Sequence, residues 1–266
     1  MSSPFPCLSG THFGHITIDG PVIIIEAGLG SSHSEWVVVQ RLIAEHARNR
    51  AYELSRILEV AGIKPPYVLV GQSYGGVLIR EFRMHTKSKL AGMVIVDAWR
   101  QPNPSQRGWF NLLGEVVIVV VVRLDINHVF CAEKYERIKE DKKRNENMFR
   151  MEEGFVANSM EEVTAGLPLG FQALGDERLS VVFGILSVRT NLPARLETIE
   201  RVDEEIQRAH LGLLSQSRFV YAQGKVMTHN VHYMAPELIR DELLWVLRLM
   251  YRHSDGWDCL LIRKRK

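Results

Sequence analysis

YVLVGQSYGG, residues 67–76, decides the reading of this chain. Residues 67–71 are apolar, aromatic or β-branched, the composition of a buried strand, and from residue 76 to residue 85 apolar side chains recur at helical spacing. Between them stands Ser73, with a glycine two residues to either side. A serine on so tight a turn from strand to helix holds strained backbone angles, and the glycines let neighbouring chain pass close by. Its hydroxyl is then held exposed at a helix N-terminus, where free amides and the helix dipole favour developing negative charge. A nucleophile elbow has this setting, and the strand before it and the helix after it favour that reading over a chance glycine turn. Ser73 is therefore the candidate nucleophile.

Working outward, four more short β-rich runs appear: PVIIIE at 21–26, MVIVD at 93–97, LSVVFGIL at 179–186 and RFVYA at 218–222. Such continuous apolar runs suit strands covered on both faces. Between them, 35–61, 76–85 and 236–252 carry helical apolar spacing, and Pro236 is placed to open the last helix. The alternation predicts an α/β fold with a mostly parallel sheet flanked by helices. The stretch from 100 to 175 is too long for a plain loop in a compact domain. Residues 132–165 are charged and helix-prone, so 101–175 is expected to be an inserted helical cap within a single domain, 1–266. The VVIVVVV run at 116–122 reads as a buried strand or lid edge, far short of the ~20 residues that span a bilayer.

Composition bounds the function. The chain has 266 residues, 46% hydrophobic and 24% charged, and a net charge of +2, so collagen-like, disordered and coiled-coil classes are excluded. The balance of 33 basic and 31 acidic side chains leaves no electrostatic footprint for nucleic acid. Cys7, Cys131 and Cys259 are odd in number and far apart, which predicts neither a disulfide framework nor a zinc site. Residues 1–20 hold no apolar run of signal-peptide length, so a cytoplasmic protein is expected. No cofactor or metal is implied.

A serine nucleophile needs a base, an orienting acid and an oxyanion hole. The loop EAGLGSS at 26–32 follows the first strong strand and can turn its amides inward; Leu29 N–H and Tyr74 N–H are the candidate oxyanion donors. His229 and His232, in MTHNVHY at 227–233, follow the last strand and precede the last helix, the place for a late-chain base. Position picks the pair and leaves the member open. For the acid, Asp97 closes its strand at the sheet edge that carries Ser73, whereas Asp203 precedes His229 by 26 residues within a charged helical run. Asp97 is the candidate acid and Asp203 the alternative; Asp176 precedes its strand and fits poorly.

These stretches together resemble the α/β-hydrolase superfamily, in its single-domain serine hydrolases with a helical cap. The resemblance rests on PVIIIEAGLGSSHSEW at 21–36, PPYVLVGQSYGG at 65–76, LAGMVIVDA at 90–98 and HNVHYMAPELI at 229–239. It implies a Ser-His-Asp hydrolase of a small ester, thioester or amide, acting through an acyl-enzyme, and it selects His229 over His232 as base. A catalytically silent member that binds a small ligand is the alternative it allows. Two departures stand out. Gln72 takes the place of the histidine usual before the nucleophile, and 35–61 reads as helix throughout, with no counterpart of the strand usual beside the oxyanion strand. On that reading 11–18 pairs with 21–26 as a hairpin to cover the gap.

Overall fold

The computed structural model describes residues 21–28, 31, 33–39, 48–50, 58–60, 62–86, 88–98, 128–166, 175–184, 194–222 and 229–254. Six strands form one parallel sheet: β1 Val22–Glu26, β2 Arg48–Arg50, β3 Tyr67–Gln72, β4 Leu90–Val96, β5 Arg178–Gly184 and β6 Gln216–Ala222, in the order β2-β1-β3-β4-β5-β6. The helices are α1 Gly75–His85, α2 Ala132–Arg144, α3 Glu146–Gly166, α4 Ala194–Arg208, the single turn α5 Val231–Met234, and α6 Pro236–Ser254. The predicted parallel α/β architecture is the observed one.

Why the strands read as unbroken apolar runs follows from the register. Ile24, Leu69, Met93 and Leu179 stand side by side across four strands, and all four belong to the core beneath α1 and α3, with Val77, Ile79, Val156, Met160 and Val163. Their chain neighbours point the other way, as strand geometry requires. Ile25, Val70 and Val94 share a row and pack with Ile239, Leu243 and Val246 of α6. That row continues into Ser180 on β5, whose hydroxyl donates to Glu242 of α6 at 2.5 Å. Glu242 also accepts from Arg218 Nε at 2.5 Å, so the polar groups on this face are paired as burial demands.

Two sequence expectations change. The stretch 35–61 is not helix throughout: Arg48–Arg50 is a strand, paired in parallel with β1 on the side away from β3. Three residues of pairing therefore cover the β1 edge that the sequence left without a partner. The proposed 11–18 strand and the 116–122 run lie outside the described residues. The chain between β4 and β5 is helical where described, as α2 and α3, while 99–127 and 167–174 lie outside. Finally, Cys131 is disulfide-bonded, against the expectation that the cysteines form no disulfide framework. Cysteine spacing gave no sign of it because pairing depends on where the chain returns in space, not on separation in sequence. Among the described residues, no helix is long and apolar enough to cross a membrane.

Candidate active site

Ser73 sits where β3 ends and α1 begins, with φ at 54°, in the left-handed region that costs a non-glycine residue of order 1–3 kcal/mol. The turn is held from both sides. Ser73 N–H donates to Val96 O on β4 at 3.1 Å, and Gly76 N–H closes back on Ser73 O at 3.1 Å. The flanking glycines are steric necessities: a Cβ on Gly71 would lie 2.6 Å from the Gly75 carbonyl oxygen, and one on Gly75 only 2.1 Å from that of Glu26. Tyr74, the N-cap of α1, is buried, and its hydroxyl donates to Ser159 Oγ on α3 at 3.1 Å. The elbow is thus tied to the segment between β4 and β5.

Asp97 follows β4 directly and also has a positive φ, 45°. Its N–H donates to Val182 O on β5 at 2.8 Å, and the next carbonyl, Ala98 O, accepts from Gln207 Nε2 of α4 at 2.8 Å. With its backbone fixed between strand and helix, the buried Asp97 carboxylate meets His229 Nδ1 at 2.8 Å. His229 precedes α5 at the end of the sheet that carries Ser73 and Asp97.

The other ring nitrogen, Nε2, lies 3.2 Å from Gln72 Nε2. Both nitrogens of His229 are therefore engaged, one by Asp97 and one by Gln72, and Asp203 is not among their partners. Asp203 is buried on α4, one turn before Gln207. Ser73 Oγ makes no hydrogen bond to the ring among the described residues; catalytic hydrogen bonds in unliganded structures are often long and tighten when substrate is bound. Gln72 Oε1 accepts from Gly28 N–H at 3.1 Å, which brings the loop after β1 to the elbow. Leu29, the sequence-stated oxyanion donor, lies outside the described residues. Tyr74 is at the N-terminus of α1, where backbone N–H groups have no partner within the helix.

His232, the other histidine of the pair, is buried away from Ser73. It stacks on Trp36 with centroids 4.7 Å apart and lies 3.7 Å from the Glu35 carboxylate. Burial holds its imidazole below the ordinary value, only partly offset by Glu35. Burial pushes the Glu35 carboxyl up, but His232 and the Lys142 ammonium, 3.6 Å away on α2, together carry it below its usual value. Ser31 donates to the same carboxylate. Beside it, Ser34 donates to Asp141 of α2 at 2.5 Å. This cluster joins the chain that follows β1, the histidine turn and α2. Sequence reading passed over it because Glu35 looked like one more helical surface residue; the separation of three between His229 and His232, which turns them to different surroundings, was its only signal.

For a metal, the described residues offer one gathering of three donors, Glu81 and His85 on α1 with Glu162 on α3, their ligand atoms within 4.8 Å of one another at the surface. Exposed acids gather in this way without any ion, and these three are no part of the Ser73 site.

No protein-family model matches the chain. It is 26% identical over 292 aligned residues to a protein of Hormonema carpetanum named a probable transporter, the match covering 90% of this chain and 42% of that one. It is 24% identical to an AB hydrolase superfamily protein of Gibberella zeae, over 86% of this chain and 87% of the other. The chain thus spans less than half the length of the first relative and most of the second. Among solved structures, a probable hydrolytic enzyme of Pseudomonas aeruginosa superposes with a TM-score of 0.56 at 14% identity, over 86% of each chain. The chain has the α/β-hydrolase fold.

Proposed function

We propose that this protein is a serine hydrolase of a small ester, thioester or amide. The observation that carries the reading is the His229–Asp97 pair, 2.8 Å apart, at the sheet end where Ser73 is held at φ 54°. In the proposed reaction Ser73 Oγ attacks the substrate carbonyl while His229 Nε2 takes its proton, with Asp97 orienting the ring through Nδ1–H. Tyr74 and Leu29 amides receive the oxyanion. His229 returns the proton to the leaving group, and water, activated by the same imidazole, releases the acid from the acyl-enzyme. The superfamily resemblance and the likeness to a hydrolytic enzyme support this chemistry; 101–175, as a cap, would set which acyl and leaving groups enter.

A second reading, a silent protein that binds a small ligand, is favoured by one contact: the Gln72 amide sits on the ring nitrogen that would take the serine proton. Turnover of short p-nitrophenyl esters separates the two. The hydrolase reading expects wild-type activity that falls to the uncatalysed background in Ser73→Ala, with the fold intact by circular dichroism. Activity surviving in that variant removes Ser73 from the reaction, and none in wild type favours the silent reading.

A further inference from the structure

Gln72 is buried at the end of β3, beside Ser73 in the chain, and its amide makes three contacts of different kinds. Gly28 N–H, which can only donate, faces Oε1 at 3.1 Å. The His229 carbonyl, which can only accept, faces Nε2 at 3.3 Å. These two partners fix the orientation of the amide, because turning it over would set NH₂ against N–H and C=O against C=O. Nε2 is thus a donor where it meets the His229 ring at 3.2 Å. The ring nitrogen there must supply a lone pair, and the ring proton is on Nδ1, donated to Asp97 Oδ2.

We propose that Gln72 is a positioning residue that selects the form of His229 with its lone pair at Nε2 and presents that lone pair beside Ser73. The proposal rests on the hydrolase reading given above. Asp97 can accept from Nδ1–H whether or not Nε2 carries a proton, so it does not make this choice alone. Gln72 makes it, since a proton on Nε2 would face the amide NH₂. The same side chain ties together three segments that must stay in register for the reaction: the loop after β1, the elbow and the histidine turn. When substrate brings Ser73 into line, its hydroxyl takes the place of the amide as donor to Nε2. No proton passes through Gln72. The loop is shaped for this contact: a Cβ on Gly28 would stand 2.7 Å from Gln72 Oε1 and 3.1 Å from Ser73 Cβ.

The test uses two variants and two readouts. Gln72→Glu keeps the size and reverses the group facing Nε2 from donor to acceptor; Gln72→Met keeps the length and removes both polar functions. Ester hydrolysis is expected to lose about a hundredfold in kcat in Gln72→Glu and about tenfold in Gln72→Met, with KM within about threefold of wild type in both, the pattern of impaired proton transfer rather than impaired binding. The second readout is ¹⁵N NMR of histidine-labelled protein, with the His229 signals assigned by their loss in His229→Asn. Wild type should show a protonated Nδ1 and an unprotonated Nε2, Gln72→Met a loss of that preference with Nε2 partly protonated, and Gln72→Glu a protonated Nε2. The NMR needs no turnover, so it tests Gln72 even where no ester is hydrolysed, an outcome that would count against the hydrolase reading alone. Ring nitrogens in Gln72→Met unchanged from wild type overturn the proposal, whatever happens to kcat, because Asp97 alone would then set the form of the ring. Wild-type kcat in both variants overturns it equally; if Gln72→Glu does not fold, Gln72→Met alone decides by this criterion.

Discussion

Asp97 was the first candidate acid in the sequence and Asp203 the alternative, because both precede the last histidines but only Asp97 closes a strand. What separates them is backbone geometry. A left-handed Asp97, anchored by its N–H to β5, directs its carboxylate to His229 Nδ1, whereas Asp203 is buried on α4. No motif encodes that turn. Asp97→Asn is therefore expected to lower kcat by about three to four orders of magnitude, by presenting a donor to Nδ1 and so favouring the wrong tautomer. Asp203→Asn should leave kcat within about threefold. Ester kinetics on the two variants check this, and the reverse ranking would return the role to Asp203. Gln72 was legible only as a departure from the usual histidine; that its amide reads the state of the base depends on partners 44 and 157 residues away.

Among the elements, five strands were legible because each carries an apolar or aromatic run, which in β1, β3, β4 and β5 is buried on both faces and in β6 is only partly buried, and the sheet moves their ends by three residues or fewer where described. β2 was not: Arg48–Arg50 has no apolar pattern of its own, and the helical apolar spacing read across 35–61 absorbed it. The histidine turn carries a pH dependence that follows from burial. Folded His232 binds a proton less readily than its ordinary value of 6.5, so below about that pH the unfolded chain takes up a proton that the folded chain refuses. Stability is complete above the ordinary histidine value and is lost as pH falls below it, at up to about 1.4 kcal/mol per pH unit. Glu35 acts lower: its carboxyl lies below 4.5, so its contribution persists until pH approaches that value. Thermal midpoints of wild type and His232→Phe, which keeps a ring against Trp36, should therefore diverge in slope between about pH 6.5 and 5, wild type falling more steeply. Parallel slopes would mean that His232 is protonated in the folded state.

At the scale of the whole molecule, α3 is bound to the nucleophile half of the sheet rather than standing apart from it. Val156, Met160 and Val163 share a core with Tyr74, Val77 and Leu69, and Ser159 holds the Tyr74 hydroxyl. The helices within 132–166 were legible by their charged, helix-prone composition, but the docking of α3 was not, since only the fold shows which of its apolar residues face α1. Met160→Ala should accordingly cost about 2–5 kcal/mol in denaturant unfolding, the cost of a core cavity, where a loosely attached cap would lose almost nothing. All these parts converge on one serine, and the central claim is that its hydroxyl is chemically activated. The most direct measurement is labelling of the intact protein with a fluorophosphonate, followed by peptide mass spectrometry. A single adduct on Ser73, lost in His229→Ala while the variant still melts cooperatively, is the predicted result; no adduct on Ser73, or one of equal rate without His229, would contradict the account.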